Sequence, residues 1–358
     1  MAPYHFTQNE QMKSLTPIAG TVIGDKYYFI EQNSDVLFEY DFVSENCICR
    51  GSLCKSYNSS YYLFVAVVER DQKLYFIPFN AEEVACFDIK TNEITRIPVP
   101  GAFRLKKQKC QVAIGIGKQI YMIGYGDSSI LVLDTETLKW EVIPMHMSQR
   151  NLIYAATLRG REIYMVSAVS DTLFVFNTET RNLLEMDLNS GNEGFVGVLE
   201  MNHELLLVPR TGGVFVLYNL DTKEFRALST DLPKEFASFC GVCHRNEIYV
   251  IPNPGGRFLK LILQKDPPFC TTEMIPDLSF DWNRFFGWFP IFYHETMIVP
   301  LIELGGSIFY NTESNTAKIK SFIPDEIPEK NSFAEVEIES QVNTLENFLH
   351  YLLQGESV

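Results

Sequence analysis

One short segment returns seven times along this chain. The clearest copies are Leu74-Tyr75-Phe76-Ile77, Ile120-Tyr121-Met122-Ile123, Ile163-Tyr164-Met165-Val166 and Ile248-Tyr249-Val250-Ile251. Weaker copies are Tyr27-Tyr28-Phe29-Ile30, Leu205-Leu206-Leu207-Val208 and Met297-Ile298-Val299-Pro300. The second residue of each copy falls at 28, 75, 121, 164, 206, 249 and 298, so the repeats are spaced by 47, 46, 43, 42, 43 and 49 residues. A second marker follows each first marker by 13 positions: an aromatic residue or Leu, then Asp or Asn, then a polar turn. It reads Tyr40-Asp41, Phe87-Asp88, Leu133-Asp134, Phe176-Asn177, Tyr218-Asn219 and Tyr310-Asn311; the sixth unit has Leu261-Ile262 instead.

Each unit divides into four short apolar runs punctuated by Gly, Asn, Asp or Pro. In the third unit these are Val112 to Lys118, Ile120 to Ile123, Ile130 to Asp134 and Lys139 to Ile143. Runs of this length with turn residues between them predict strands. Asp or Asn after the third run suits a tight turn, because its side chain accepts hydrogen bonds from backbone amides just ahead of it. Seven repeats of four strands at this period predict an all-β chain: a seven-bladed β-propeller of four-stranded blades. The boundaries expected are an N-terminal segment 1–16, the propeller 17–324, and an acidic linker with a C-terminal helix at 325–358. Each end unit has its own four strands, so no borrowed strand is expected to close the ring. In the last segment Val342, Leu345, Phe348, Leu349 and Leu352 follow helical spacing after Ser340. They predict a short amphipathic α-helix that covers an edge, docks a partner or pairs two copies.

The stretch Ile120 to Pro144 resembles a kelch repeat: strand, loop, strand ending in Asp, short turn, then Trp140. Ile163 to Leu188 and Leu74 to Pro98 resemble it less closely. Gly124-Tyr125, Ser167-Ala168 and Pro78-Phe79 stand where kelch repeats usually carry a double glycine. The resemblance spans Pro17 to about Pro324 and implies membership of the kelch-like propellers, which include the central domain of galactose oxidase. That superfamily holds scaffolds, oxidases and sugar isomerases, so it implies a fold and no single activity.

Composition excludes some functions. A net charge of −15, from 30 basic and 45 acidic side chains, argues against non-specific binding to nucleic acid or anionic lipid. The first residues lack a basic region followed by an apolar core, and no stretch is long and apolar enough to span a bilayer, so a cytoplasmic location is expected. Most of the eight cysteines sit in strand-like runs and read as free buried thiols. Cys240 and Cys243 form a lone C-x-x-C on a predicted strand, where they face opposite sides. His203, His244 and His294 occupy matching turns without companion ligands, so no metal is expected. No phosphate-binding, dinucleotide-binding or nucleophile-elbow motif is present, and no cofactor is expected.

The site expectation follows from propeller geometry. Loops between units, and loops between second and third strands, converge on one face around the axis. That face should carry Tyr62, Arg104, Arg150, Asn151, Tyr154, Arg210, Arg257, Trp282, Asn283, Arg284 and Trp288. Aromatic area with Arg and Asn suits a peptide, protein or glycan ligand. Arginines from five units, if they converge, favour an anionic one. The leading expectation is a binding or scaffold protein with this funnel as its site. The alternative is a carbohydrate- or peptide-active isomerase, epimerase or lyase using Glu31, Tyr154, Asp281 or Glu303 as acid–base groups.

Overall fold

The computed structural model describes residues 15–31, 34–54, 62–104, 106, 108–125, 128–148, 151–230, 232, 236–245, 247–252, 259–265, 268–274, 289–301 and 305–325. They form a seven-bladed β-propeller. The blades are β1–β4 (Pro17–Ile23, Lys26–Glu31, Val36–Asp41, Cys47–Ser52), β5–β8 (Phe64–Arg70, Lys73–Pro78, Glu83–Asp88, Glu93–Pro98) and β9–β12 (Cys110–Ile116, Gln119–Gly124, Ser129–Asp134, Trp140–Pro144). Next come β13–β16 (Ile153–Arg159, Glu162–Ser167, Thr172–Asn177, Leu183–Asp187) and β17–β20 (Phe195–Met201, Glu204–Pro209, Phe215–Asn219, Phe225–Thr230). The last two are β21–β24 (Ser238–His244, Glu247–Pro252, Leu259–Lys265, Pro268–Met274) and β25–β28 (Ile291–Tyr293, Thr296–Pro300, Ser307–Asn311, Thr316–Lys320). Within each blade the strands pair antiparallel in sequence order; the first strands of blades 1 to 6 contact one another in succession, and that of blade 7 contacts that of blade 1.

The first marker explains why blades stack. Its residues alternate between the two faces of the second strand, as a period of two requires. In blade 3, Ile120 and Met122 pack toward blade 2, while Tyr121 and Ile123 pack toward blade 4. In blade 4, Ile163 and Met165 face blade 3, while Tyr164 and Val166 face blade 5. Both faces are buried, so both must be apolar, and the run is continuous rather than alternating.

The second marker ends the third strand. Asp41 Oδ1 accepts from the amides of Val43 and Ser44 at 2.9 and 2.8 Å, Asp134 from Glu136 and Thr137 at 3.1 and 2.7 Å, and Asn177 from Glu179 and Thr180 at 3.0 and 2.9 Å. Each turn closes through a residue with positive φ four positions after the marker: Glu45, Asn92, Leu138, Arg181, Lys223 and Asn315. Blade 6 lacks the Asp or Asn, and there the third strand runs on to Lys265. Its outer strand β24 also pairs in parallel with β20, joining blades 5 and 6 at the rim.

Blade 7 contains four consecutive strands. The ring closes by two crossed contacts. The Leu15 amide donates to the Phe322 carbonyl at 3.0 Å and its carbonyl accepts from Gly306 at 2.9 Å, while the Asp325 amide donates to the Cys47 carbonyl at 3.0 Å. Leu15 thus lies on blade 7, and Asp325, leaving blade 7, lies on blade 1.

One expectation about the fold is corrected. The helix found among the described residues is α1 (Gly101–Arg104), four residues long, so the described architecture is an all-β propeller and a C-terminal amphipathic helix is not supported. Residues 326–358, on which that expectation fell, lie outside the described residues. Helical spacing marks which side of a helix would be apolar. It does not supply the packing surface from which most helical stability comes. Cys47, Cys49, Cys54, Cys86, Cys110, Cys240 and Cys243 are free thiols, and among the described residues no helix is long and apolar enough to cross a membrane.

Candidate binding site on the loop face

The first strand of each blade enters from the face carrying the inter-blade connections, here the loop face. In six blades that strand carries a β-bulge at its second residue. The extra residue is Ile18, Val65, Gln111, Tyr154, Val196 or Phe239, each ten positions before the first marker. A bulge leaves its residue outside the ladder and re-aims its side chain. These six side chains are 0–5% exposed.

The bulged residues converge. Ile18, Val65, Tyr154, Val196 and Phe239 belong to one buried cluster, together with Tyr62, Phe79, Tyr125, Leu152, Ala168 and Leu301. Side chains from blades 1, 2, 4, 5 and 6 can share a cluster only at the axis. Tyr154 and Phe239 have ring centroids 6.1 Å apart at 87°, and Phe289, which leads into blade 7, lies 5.8 Å from Tyr154 and 5.1 Å from Phe239. Edge-to-face rings at these distances attract beyond their buried area. The loop-face end of the channel is therefore closed by an aromatic plug, while the inner strands become half-exposed toward the opposite, turn face.

The plug contains polar atoms. The Tyr154 hydroxyl and both carboxamide atoms of Gln111 are buried and make no hydrogen bond among the described residues. Such atoms cost about 1–3 kcal/mol each. Burial raises the Tyr154 phenol well above the usual value, and Cys240, Tyr125 and Tyr62 add to the effect. Tyr62, 7% exposed, holds a left-handed backbone with φ of 52°. That conformation is unusual for an aromatic residue and is concentrated at functional sites. Beside the plug, Lys109 is 4% exposed; its ammonium donates to the carbonyls of Lys106 and Asn80, and burial lowers its pKa to about 8.

The residues expected at this face divide into three groups. Tyr62, Asn151 and Tyr154 are there but buried, at 7, 4 and 1% exposure. Arg104 and Arg210 are each tied to a nearby carboxylate: Arg104 Nε lies 2.8 Å from Glu82 Oε2, and Arg210 pairs with Glu193. These two cations are answered locally at the rim. Arg150, Arg257, Trp282, Asn283, Arg284 and Trp288 lie outside the described residues, as do the acid–base candidates Asp281 and Glu303. Glu31, at the end of β2, is 6% exposed. Gln111 was not anticipated. Its signal was the constant offset from the first marker, which the other bulged residues share and at which it alone is a carboxamide. Elsewhere, the turn face carries an open concavity of about 550 Å³ lined by Glu69, Arg70, Asp71, Gln72, Lys90 and Gly117. Its acids and bases offset one another. No group of three or more metal-ligating side chains occurs among the described residues.

Comparison with solved structures places the architecture. The chain is similar to virginiamycin B lyase from Staphylococcus aureus, with a TM-score of 0.62 and 11% identity over 81% of this chain and 94% of that one. It is similar to a streptogramin B lyase structure, with a TM-score of 0.60 and 14% identity over 82% and 93% of the two chains. A chain of the mitotic checkpoint complex matches with a TM-score of 0.59 and 9% identity over 91% and 97%. The chain is a seven-bladed β-propeller. Likeness at these identities concerns the fold alone. No protein-family model and no curated protein matches the sequence.

Proposed function

We propose that this chain is a kelch-like binding or scaffold propeller that recognises a peptide, protein or glycan ligand on its loop face. The observation that carries the reading is the axial plug. It gives the loop face a rigid floor built from distant blades, and a rigid scaffold beneath variable loops is a recurrent arrangement for recognition. Glu31 and Tyr154 are buried, at 6 and 1% exposure, which counts against either as a solvent-exposed acid or base. Similarity to a mitotic checkpoint complex chain agrees with a scaffold role. Local neutralisation of Arg104 and Arg210 weakens the case for an anionic ligand.

The test is a screen of the immobilised full chain against peptide and glycan arrays. A ligand bound by the wild type should be lost by a Trp282→Ala, Arg284→Ala double variant and kept by Arg161→Ala on the turn face. Binding that survives the double variant and fails in the turn-face variant would place recognition on the other side and end this reading. A second reading, a peptide- or carbohydrate-active lyase or isomerase, draws on the similarity to the two lyase structures. Mass spectrometry of each array ligand after incubation separates the two, since turnover changes the ligand and simple binding leaves it intact.

A further inference from the structure

We propose that Gln111 and Tyr154 form an axial recognition site for an uncharged amide, the peptide group of a ligand held on the loop face. The proposal rests on the loop-face reading above and narrows it to peptides. Gln111 and Tyr154 hold equivalent bulge positions in adjacent blades, ten residues before Tyr121 and Tyr164. They are 3 and 1% exposed, and three of their polar atoms make no hydrogen bond among the described residues.

The donor and acceptor set selects the ligand class. A carboxamide offers one acceptor oxygen beside one donor nitrogen, and a phenol offers a donor and an acceptor. A peptide group presents the complementary carbonyl and N–H. A sugar would bring more hydroxyls than these atoms can satisfy, leaving some buried without partners. A carboxylate would confront the Gln111 oxygen, and among the described residues of this face Arg210 pairs with Glu193 and Lys109 donates to backbone carbonyls. The surrounding Tyr125 and Phe239 rings supply apolar contact and exclude water, which strengthens a neutral hydrogen bond. Entry passes Tyr62, the most exposed of the plug's buried rings.

The experiment uses N-acetylphenylalaninamide as probe, with glucose and acetate for contrast, on the full chain and on Gln111→Met and Tyr154→Phe. The probe should raise the unfolding midpoint of the wild type, while glucose and acetate leave it unchanged. Each substitution should weaken probe binding roughly tenfold by calorimetry. Without probe, both variants should unfold at the same temperature as the wild type or higher, because each loses buried polar atoms that lack partners. No binding to the wild type, equal binding to all three, or a preference for glucose or acetate overturns the proposal. So does a fall in the midpoints of both variants, which would assign these atoms to the fold. Array ligands that need Trp282 and Arg284 but ignore both plug substitutions would sink the amide site and leave the loop-face reading standing.

Discussion

Tyr154 and Phe239 meet edge to face, ring centroids 6.1 Å apart, although they belong to the fourth and sixth blades. The contact joins blades that are not neighbours in the ring. It exists because the first strands of six blades bulge at the equivalent residue and turn that side chain to the axis. If the plug holds the inner ends of the blades together, truncating its centre should cost more than truncating an inter-blade residue of similar size. Phe239→Ala should destabilise the protein by about 3–5 kcal/mol, through lost burial and a cavity that blades on every side limit from collapsing. Chemical denaturation measures this. A cost below about 1 kcal/mol would show that the axis collapses freely around the deletion.

The turns after the third strands make stability depend on acid. Backbone amides of the turn hold the carboxyls of Asp41, Asp88 and Asp134 below their ordinary value. In the unfolded chain these groups protonate at higher pH than in the fold. Their contribution is therefore complete above the ordinary carboxylate range and is lost as pH falls through the lower folded values, below roughly pH 4. Asn already occupies the equivalent positions 177, 219 and 311. Replacing all three aspartates by Asn keeps an acceptor and removes the titration. Midpoints measured from pH 6 downward should fall less steeply in the triple variant; a parallel decline would assign acid sensitivity to other groups.

Gly194 bears on the loop face itself. A Cβ there would lie 2.3 Å from the backbone carbonyl of Ala168, in the loop of the preceding blade. Backbone cannot step aside as a flexible side chain can. Gly194→Ala should destabilise by about 1–3 kcal/mol from overpacking alone. Gly160, in a turn with φ of 60° and open space around it, makes a useful contrast. Gly160→Ala should cost about 1 kcal/mol, through backbone conformation with no clash. Thermal unfolding of the two variants separates close approach from conformational preference.

The thiols should be silent in the native state. Burial pushes Cys47 and Cys54 up to about 12, with Asp325 and Asp35 adding to the respective shifts, and raises Cys240 further. The reactive species is the thiolate, which these sites disfavour. Iodoacetamide at pH 8 should label these three positions far more slowly in folded than in denatured protein, as peptide mass spectrometry can resolve. Fast native labelling of Cys240 would mean that the plug opens readily.

The repeat made most of the fold legible because its physics is local. Two-residue alternation about Tyr121 or Tyr164 assigns a strand with two buried faces, and Asp134 or Asn177 marks where the next strand must end. Where the marker is missing, at Leu261-Ile262, the strand runs longer, as that logic demands. The expected C-terminal helix is not supported, on the same ground in reverse. Val342 to Leu352 carry a period, but a period alone names no surface against which to pack. Of the candidate site, Tyr62, Asn151 and Tyr154 lie on the loop face and are buried, which depends on packing across blades that local sequence does not report.

The sequence by itself determined the number of blades, the order of strands and the chemistry of the turns, since each depends on residues a few positions apart. Only the tertiary structure decided that the axis is closed, that Arg104 and Arg210 are answered by Glu82 and Glu193, and that Gln111 and Tyr154 lie buried without partners. Those outcomes depend on distances between blades, which ring closure sets and no local pattern encodes.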